Sequence, residues 1–468
     1  MNKYKGLKIA VIFGKGDDSC GVTRTGHELY LWARKNDTLV HLYFYNKKYS
    51  RSGAHTDTEQ IFYKDKDIKE LTKKINDNYD IVMFMSYPTN KHNHEYGKMF
   101  YYDMFCGISK PIKVFMQHDI HKMQIDKAMY LVPMLVNSDI VFHFDTDTWF
   151  SKTLDEMGIK KIGERLFKYT LWMNFDDLDK WRQRYFNKKK KGLVSVTRWS
   201  SLKNVRRSID IMDELQKRDL NWDCKVYGIE RSIGAKFDIL DYDKTIYINP
   251  GGKKDNEENG TVCVNGPVNR NEGIDIVASH EFASSFYSLP KKPENYGNRM
   301  EYTQIEIVGV GTIPVFDKDW AENNHLSDGR KYIDVPYSAI YTDGTNVEKI
   351  ANKLIEISNN EEEKQKYLNV SYDLVRGEFD ADKVIPKAIN LILNTGKNKE
   401  IKSVYNICKD LVNIPFADEI KKLEDEGKLP VLGIGEFEDC TVQYLQDAKQ
   451  VLVKKIKKSK GGNVKNLF

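Results

Sequence analysis

Residues 7–36, LKIAVIFGKGDDSCGVTRTGHELYLWARKN, decide the fold class. The stretch LKIAVIF is an apolar run of strand length, GKGDDSCG is a glycine-bearing loop, and the remainder reads as an amphipathic helix. Strand, glycine loop and helix in that order open a Rossmann-like unit. Further strands are expected at Val40–Tyr45, Asp80–Met85, Ile112–Met116 and Asp139–Phe144, with helical segments between them. That alternation predicts an α/β architecture, a parallel sheet with helices on both faces. The basic run Lys188–Lys191 reads as a linker, and Leu193–Thr197 starts a second domain of the same kind. It continues through Lys225–Gly228, Ile246–Asn249 and a polar insertion from Pro250 to about Glu272. Next comes RMEYTQIEIVGVGTIPVF at 299–316, which carries Glu301 and Glu306 ahead of a glycine turn and the strand Ile313–Phe316. Helices over Lys349–Ile357 and Glu361–Arg376 close the domain. The expected division is 1–187, 188–397 and an appendage, 398–468, that does not continue the alternation.

A chain of 468 residues is too long for one ordinary core. Its 40% hydrophobic and 12% aromatic residues suffice for packed domains and exclude global disorder. The net charge of +5 is too small to imply a nucleic-acid partner by itself. Six cysteines without a CxxC pair or finger spacing read as reduced thiols. Met1–Lys8 is polar, no signal peptide is visible, and no apolar run approaches the ~18 residues of a membrane span. A soluble, cytoplasmic protein with no membrane partner is expected.

Chemistry-bearing residues cluster where such sheets place their sites. The loop Gly14–Thr23 can turn backbone N–H groups toward an anion, or can be a structural turn. Arg198 and Lys203 flank the junction between strand 193–197 and the next helix. An arginine fork and a lysine point charge there can stabilise a departing phosphate without a metal. His118 and Asp119 follow the strand Ile112–Met116. Asp119 reads either as a site carboxylate at the carboxyl end of that strand or as a helix cap. Lys47, Lys48, Arg51, Ser52 and His55 offer phosphate-compatible donors on the loop after the second strand. Asp145-Thr146-Asp147 reads as a turn, and the pairs His92/His94 and His118/His121 lack a third ligand, so no metal site is expected. The terminus crowds Lys454, Lys455, Lys457, Lys458 and Lys460 before Gly461-Gly462 and Leu467-Phe468. It reads as a partner-docking peptide, a phosphate anchor or a frayed end.

SCGVTR at 19–24, YSRSGAH at 49–55, QHD at 117–119, Arg198 and Lys203 within TRWSSLK, GIERS at 228–232 and EYTQIEIVGVGTIPVF at 301–316 together resemble the DNA α-glucosyltransferases of T-even bacteriophages. They stand in the family's order and cover roughly residues 1–395. The resemblance implies a GT-B fold, two Rossmann-like domains facing across a cleft. It implies a retaining enzyme that moves a sugar, glucose by default, from a UDP-sugar to 5-hydroxymethylcytosine in phage DNA, without an obligatory metal. Such modification protects DNA from host nucleases, and the base leaves the stack to be reached. On this reading Gly21, Val22, Arg198, Lys203, Glu230, Arg231, Glu301 and Glu306 bind the donor, with Glu306 on the ribose. His118 and Asp119 are catalytic, and the loop with Lys47, Lys48, Arg51, Ser52 and His55 contacts double-stranded DNA. Position 298 is Asn298, a departure from the wider retaining pattern of two glutamates eight apart, so hexose contacts are expected from the loop Ser284–Leu289. A terminal Leu-Phe is similar to clamp-binding tails of T-even replication proteins, which suggests a sliding clamp as a partner. Rival readings are transfer of another sugar such as a pentose, a differently modified base, a polysaccharide acceptor, or a non-catalytic DNA- or clamp-binding protein.

Overall fold

Two seven-stranded parallel sheets organise the chain. The computed structural model describes residues 3–14, 21–45, 58–85, 104–117, 134–143, 165–197, 203–218, 221–228, 246–249, 262–265, 268–286 and 300–399. One unit holds the described residues up to Tyr169 and those from Ile385 on; the other spans Thr170–Val384.

In the first unit the strands are β1 (Lys8–Phe13), β2 (Leu39–Tyr45), β3 (Gln60–Tyr63), β4 (Ile81–Met85), β5 (Ile112–Gln117), β6 (Ile140–His143) and β7 (Leu166–Lys168). Their order is β3-β2-β1-β4-β5-β6-β7. Ile9 to Phe13 and Val114 to Met116 are fully buried, as expected of strands covered on both faces. The sheet reverses direction between β1 and β4, the switch point at which open sheets place ligands. Helix α1 (Gly21–Lys35) starts from this edge and packs closely on β1. A Cβ on Gly26 would lie 2.5 Å from the ring of Phe13. That ring is stacked on Phe44 at 4.4 Å and cannot retreat. Helix α2 (Ile68–Asn78) follows β3.

The second unit contains β8 (Lys190–Val196), β9 (Asp223–Tyr227), β10 (Ile246–Asn249), β11 (Val262–Asn265), β12 (His280–Ser285), β13 (Ile313–Asp317) and β14 (Ile340–Thr342). The order is β10-β11-β9-β8-β12-β13-β14, so the switch point lies between β8 and β12. Its helices are α3 (Phe175–Arg184), α4 (Val205–Arg218), α5 (Arg270–Ala278), α6 (Tyr302–Gly309), α7 (Lys318–Asn323), α8 (Val347–Asn359) and α9 (Glu361–Phe379); α10 (Ala381–Thr395) begins here. Leu193, Met212, Phe282, Ile313, Val315 and Leu354 belong to its core.

Several sequence expectations change. Lys190 and Lys191 open β8 instead of forming a linker. The polar insertion after Pro250 contains β11, inserted between β9 and β10. Ser284 and Ser285 are the last residues of β12, so the expected loop starts as a strand; 287–289 lie outside the described residues. Helix α3, expected in the first domain, belongs to the second unit. Leu178 is buried against Gly309, Phe175 packs edge-on to Tyr372, and Arg376 donates to Asp179 at 3.1 Å. Helix α10 returns to the first unit from Ile385 on. Ile385, Ile389 and Ile392 are buried at helical spacing, Tyr4 donates its hydroxyl to Asn390 Oδ1 at 3.1 Å, and Lys397 donates to the Ser109 carbonyl. The appendage beyond residue 399 lies outside the described residues.

Candidate donor site

The carboxyl edge of the second sheet gathers cations and carboxylates in pairs. Lys203 stands two residues before α4, beyond the end of β8, and its neighbour Asn204 donates its N–H to the Phe286 carbonyl past the end of β12 at 3.2 Å. The Lys203 ammonium pairs with Glu301; the lysine side chain is 12% exposed and the glutamate 32%. Glu301 is the residue before α6, and its backbone N–H donates to Gln304 Oε1 at 2.9 Å. One turn into α4, Arg207 pairs with the buried Asp317 at the end of β13 and lies 5.4 Å from the ring centre of Phe286. Lys203 and Arg207, four residues apart, thus bring two positive charges to this edge.

Glu306 projects from the middle of α6, where Arg270 donates its Nε–H to Glu306 Oε1 at 2.8 Å. Arg270 is the first residue of α5, whose start is fixed by a reciprocal cap. The Glu272 N–H donates to Asn269 Oδ1 at 3.0 Å, and the Asn269 N–H donates to Glu272 Oε2 at 3.1 Å. At the far end of α6, Gly311 takes φ +71° while its N–H donates to the Val308 carbonyl and that of Thr312 to the Ile307 carbonyl. This is a Schellman cap, which only glycine enters without strain and which turns the chain directly into β13. The glycine turn in 299–316 therefore fixes the helix that carries both glutamates.

The opposite edge of the sheet carries a cluster of a different kind. Asp223 at the start of β9 lies 3.3 Å from His280 Nε2, 3.3 Å from Lys225 and 3.5 Å from Lys190. Burial alone raises the Asp223 carboxyl, but His280, Lys225 and Lys190 hold it well below the usual carboxylate range. The cluster stands at the amino ends of strands, away from the edge at which open sheets place ligands.

Of the predicted residues, Lys203, Glu301 and Glu306 occupy this carboxyl edge of the second unit. Gly21 and Val22 open α1 in the first unit; the Gly21 carbonyl accepts from Thr25 Oγ1 at 3.0 Å and Val22 is buried. His118, Asp119, Arg198, Glu230, Arg231, Lys47, Lys48, Arg51, Ser52 and His55 lie outside the described residues, as do Asp145 to Asp147. Sequence reasoning passed over Arg207, Arg270 and the buried Arg24–Glu28 pair of α1. The Asn-x-x-Glu pattern at 269–272 before GIDIVA was the signal that a helix, and hence Arg270, starts there. Among the described residues no group of three His, Cys, Asp or Glu could hold a metal ion, and no helix is long and apolar enough to cross a membrane.

No family model matches the chain. It is 24% identical over 339 residues to the DNA alpha-glucosyltransferase of Enterobacteria phage T4, covering 68% of this chain and 82% of that protein. It superposes on an alpha-glucosyltransferase in complex with UDP and a 13-mer DNA containing an HMU base with a TM-score of 0.69, at 19% identity, over 83% of this chain and 100% of the other. The fold is GT-B. A structure of that alpha-glucosyltransferase with UDP-glucose and abasic-site DNA matches equally, with a TM-score of 0.69 and 19% identity over 83% of this chain and 99% of the other. Anabaena HepE in complex with UDP and glucose shares the GT-B fold at a TM-score of 0.54 and 9% identity, over 83% of this chain and 99% of its own.

Proposed function

We propose that this chain is a retaining, UDP-glucose-dependent glucosyltransferase acting on 5-hydroxymethylcytosine in double-stranded DNA. The observation that carries the reading is the likeness to an alpha-glucosyltransferase with UDP and DNA over that protein's full length. The arrangement of Lys203, Glu301 and Glu306 at the switch point of the second sheet supports it. In the proposed reaction the acceptor hydroxyl oxygen forms a bond to the anomeric carbon while the bond from that carbon to the β-phosphate oxygen breaks. UDP leaves with the electron pair, and its phosphate takes the acceptor proton on the same face, so the α-configuration is kept. Arg198 and Lys203 stabilise the charge that develops on UDP. Glu306 accepts from the ribose hydroxyls, with Gly21, Val22, Glu230, Arg231 and Glu301 completing the donor contacts. Asp119, with His118, acts beside the acceptor hydroxyl and the developing oxocarbenium charge.

On the acceptor side, the loop with Lys47, Lys48, Arg51, Ser52 and His55 holds DNA phosphates while the base flips out. The modification shields DNA from host nucleases in the host cytoplasm. The terminal segment 463–468 docks on a sliding clamp; its deletion leaves transfer to short oligonucleotides unchanged and lowers modification of clamp-loaded DNA. Release of UDP from UDP-glucose in the presence of hydroxymethylated duplex, plain duplex or an oligosaccharide tests the reading. Turnover with the first substrate alone is expected, and turnover with the oligosaccharide alone would move the acceptor to a polysaccharide.

A further inference from the structure

We propose that Arg270 is a positioning residue that fixes the Glu306 carboxylate in the orientation that receives the ribose hydroxyls of the donor. The inference rests on the ribose-binding reading of Glu306 given above. Arg270 donates its Nε–H to Glu306 Oε1 at 2.8 Å, and each side chain is only 19% exposed, so water competes weakly for either partner. Both ends of the contact stand on pinned backbone. The reciprocal Asn269–Glu272 cap holds the first turn of α5, and the Gly311 cap holds α6.

The location also fits. A Cβ on Gly273, in that same first turn, would lie 3.2 Å from Val196, the last residue of β8. The start of α5 therefore reaches the switch-point strand two residues before Arg198. A glutamate on a short helix has three side-chain torsions to order before it can take two adjacent hydroxyls. A guanidinium already bonded to one of its oxygens removes much of that freedom before the donor arrives, which lowers the ordering cost of binding. Arg270 touches the carboxylate and acts through it, so it is not itself a catalytic residue.

The test is the ratio of affinities for UDP and 2′,3′-dideoxy-UDP, measured calorimetrically on the full chain. The wild type is expected to prefer UDP by about tenfold or more, the scale of hydrogen bonds to a charged acceptor. Glu306→Ala abolishes the preference. Arg270→Gln, with thermal unfolding close to wild type, brings the ratio most of the way to that of Glu306→Ala, and the double variant falls no further. Arg270→Lys, which keeps the charge without the planar fork, gives an intermediate ratio. A folded Arg270→Gln that keeps the wild-type ratio while Glu306→Ala loses it overturns the role of Arg270 and leaves the ribose reading standing. A preserved ratio in Glu306→Ala overturns both. If the Gln variant does not fold, a wild-type ratio in Arg270→Lys overturns the proposal.

Discussion

Replacing Lys203 by Met removes one of the cations at the edge of the second sheet, leaves Arg207 in place, and takes this partner from Glu301. Two electrostatic effects then act in the same direction on a bound diphosphate. The first is the lost attraction: unit charges about 4 Å apart in an effective dielectric of about 20 interact by about 4 kcal/mol. Lys203 is 12% exposed, so that dielectric suits it better than bulk water, although Glu301, 32% exposed, admits solvent and weakens the effect. Discounting by roughly half leaves about 2 kcal/mol, which is about 30-fold in rate. The second effect is repulsion between the diphosphate and a carboxylate that no longer faces Lys203. It makes the single variant worse than loss of the cation alone. Lys203→Met is therefore expected to lower kcat with UDP-glucose and hydroxymethylated duplex by about 100-fold or more. Adding Glu301→Gln to that variant removes the repulsion, so the double variant loses less than the product of the two single losses. Steady-state transfer kinetics on all four proteins give both numbers. Turnover within threefold or so of wild type in Lys203→Met would refute the assignment, and strict multiplicativity would refute the coupling through Glu301.

Asp119→Asn preserves size and helix-capping ability but removes the charge, so turnover should fall steeply with almost unchanged thermal unfolding; near-normal activity makes Asp119 a helix cap. Gly26→Ala drives a methyl into the immobilised Phe13 ring and should destabilise the first unit by about 1–3 kcal/mol, read from denaturant unfolding. Lys189 donates to the carbonyl of Ala278 and to Thr312 Oγ1 at 3.1 Å. Burial first, then the charge of Arg182, lowers it from 10.5 to about 7 despite Glu281. Between those values the unfolded chain holds more protons at this site than the folded one, so raising the pH through that window stabilises the fold. Unfolding free energies measured at pH 7 and pH 9 should show this gain in the wild type relative to Lys189→Met; identical pH slopes would contradict it.

The central strands were legible because burial on both faces writes itself as uninterrupted apolar sequence, as in Ile9–Phe13 and Ile81–Met85. Edge strands carry less of that signal: β3 and β7 are short and mostly half-exposed, and neither was anticipated. β12 stayed hidden although it lies beside β8 at the centre of its sheet. Its sequence, HEFASS, buries the hydroxyls of Ser284 and Ser285 beside the hydrocarbon of Phe282 and Ala283, which breaks the apolar run. Ser284 Oγ donates to Ser208 Oγ at 2.9 Å, and Ser195 Oγ donates to the Ser284 carbonyl at 3.2 Å, so the Ser284 and Ser195 hydroxyls are satisfied away from water. Composition cannot show such a network, because its partners are 76 and 89 residues away. Lys203, Glu301 and Glu306 are expected at a donor site from the resembling stretches TRWSSLK and EYTQIEIVGVGTIPVF. Arg270 was missed because its stretch reads as polar insertion until the helix cap is seen. A basic run at 188–191 resembles a linker, whereas Lys190 and Lys191 begin a strand and the helix that carries the buried Phe175 and Leu178 lies in the second unit.

In the proposed reaction a glucosyl group leaves UDP-glucose and becomes attached to the hydroxymethyl oxygen of cytosine in duplex DNA. The direct measurement is to incubate the protein with UDP-glucose and paired duplexes that differ only in carrying 5-hydroxymethylcytosine or cytosine, digest to nucleosides, and determine their masses and anomeric configuration. The expected product is one new nucleoside, heavier than 5-hydroxymethyl-2′-deoxycytidine by a single hexosyl residue and α-linked, from the hydroxymethylated duplex alone. An unmodified hydroxymethylcytosine with UDP-glucose, under conditions where the protein binds UDP, or a β-linked product, would contradict the proposed reaction.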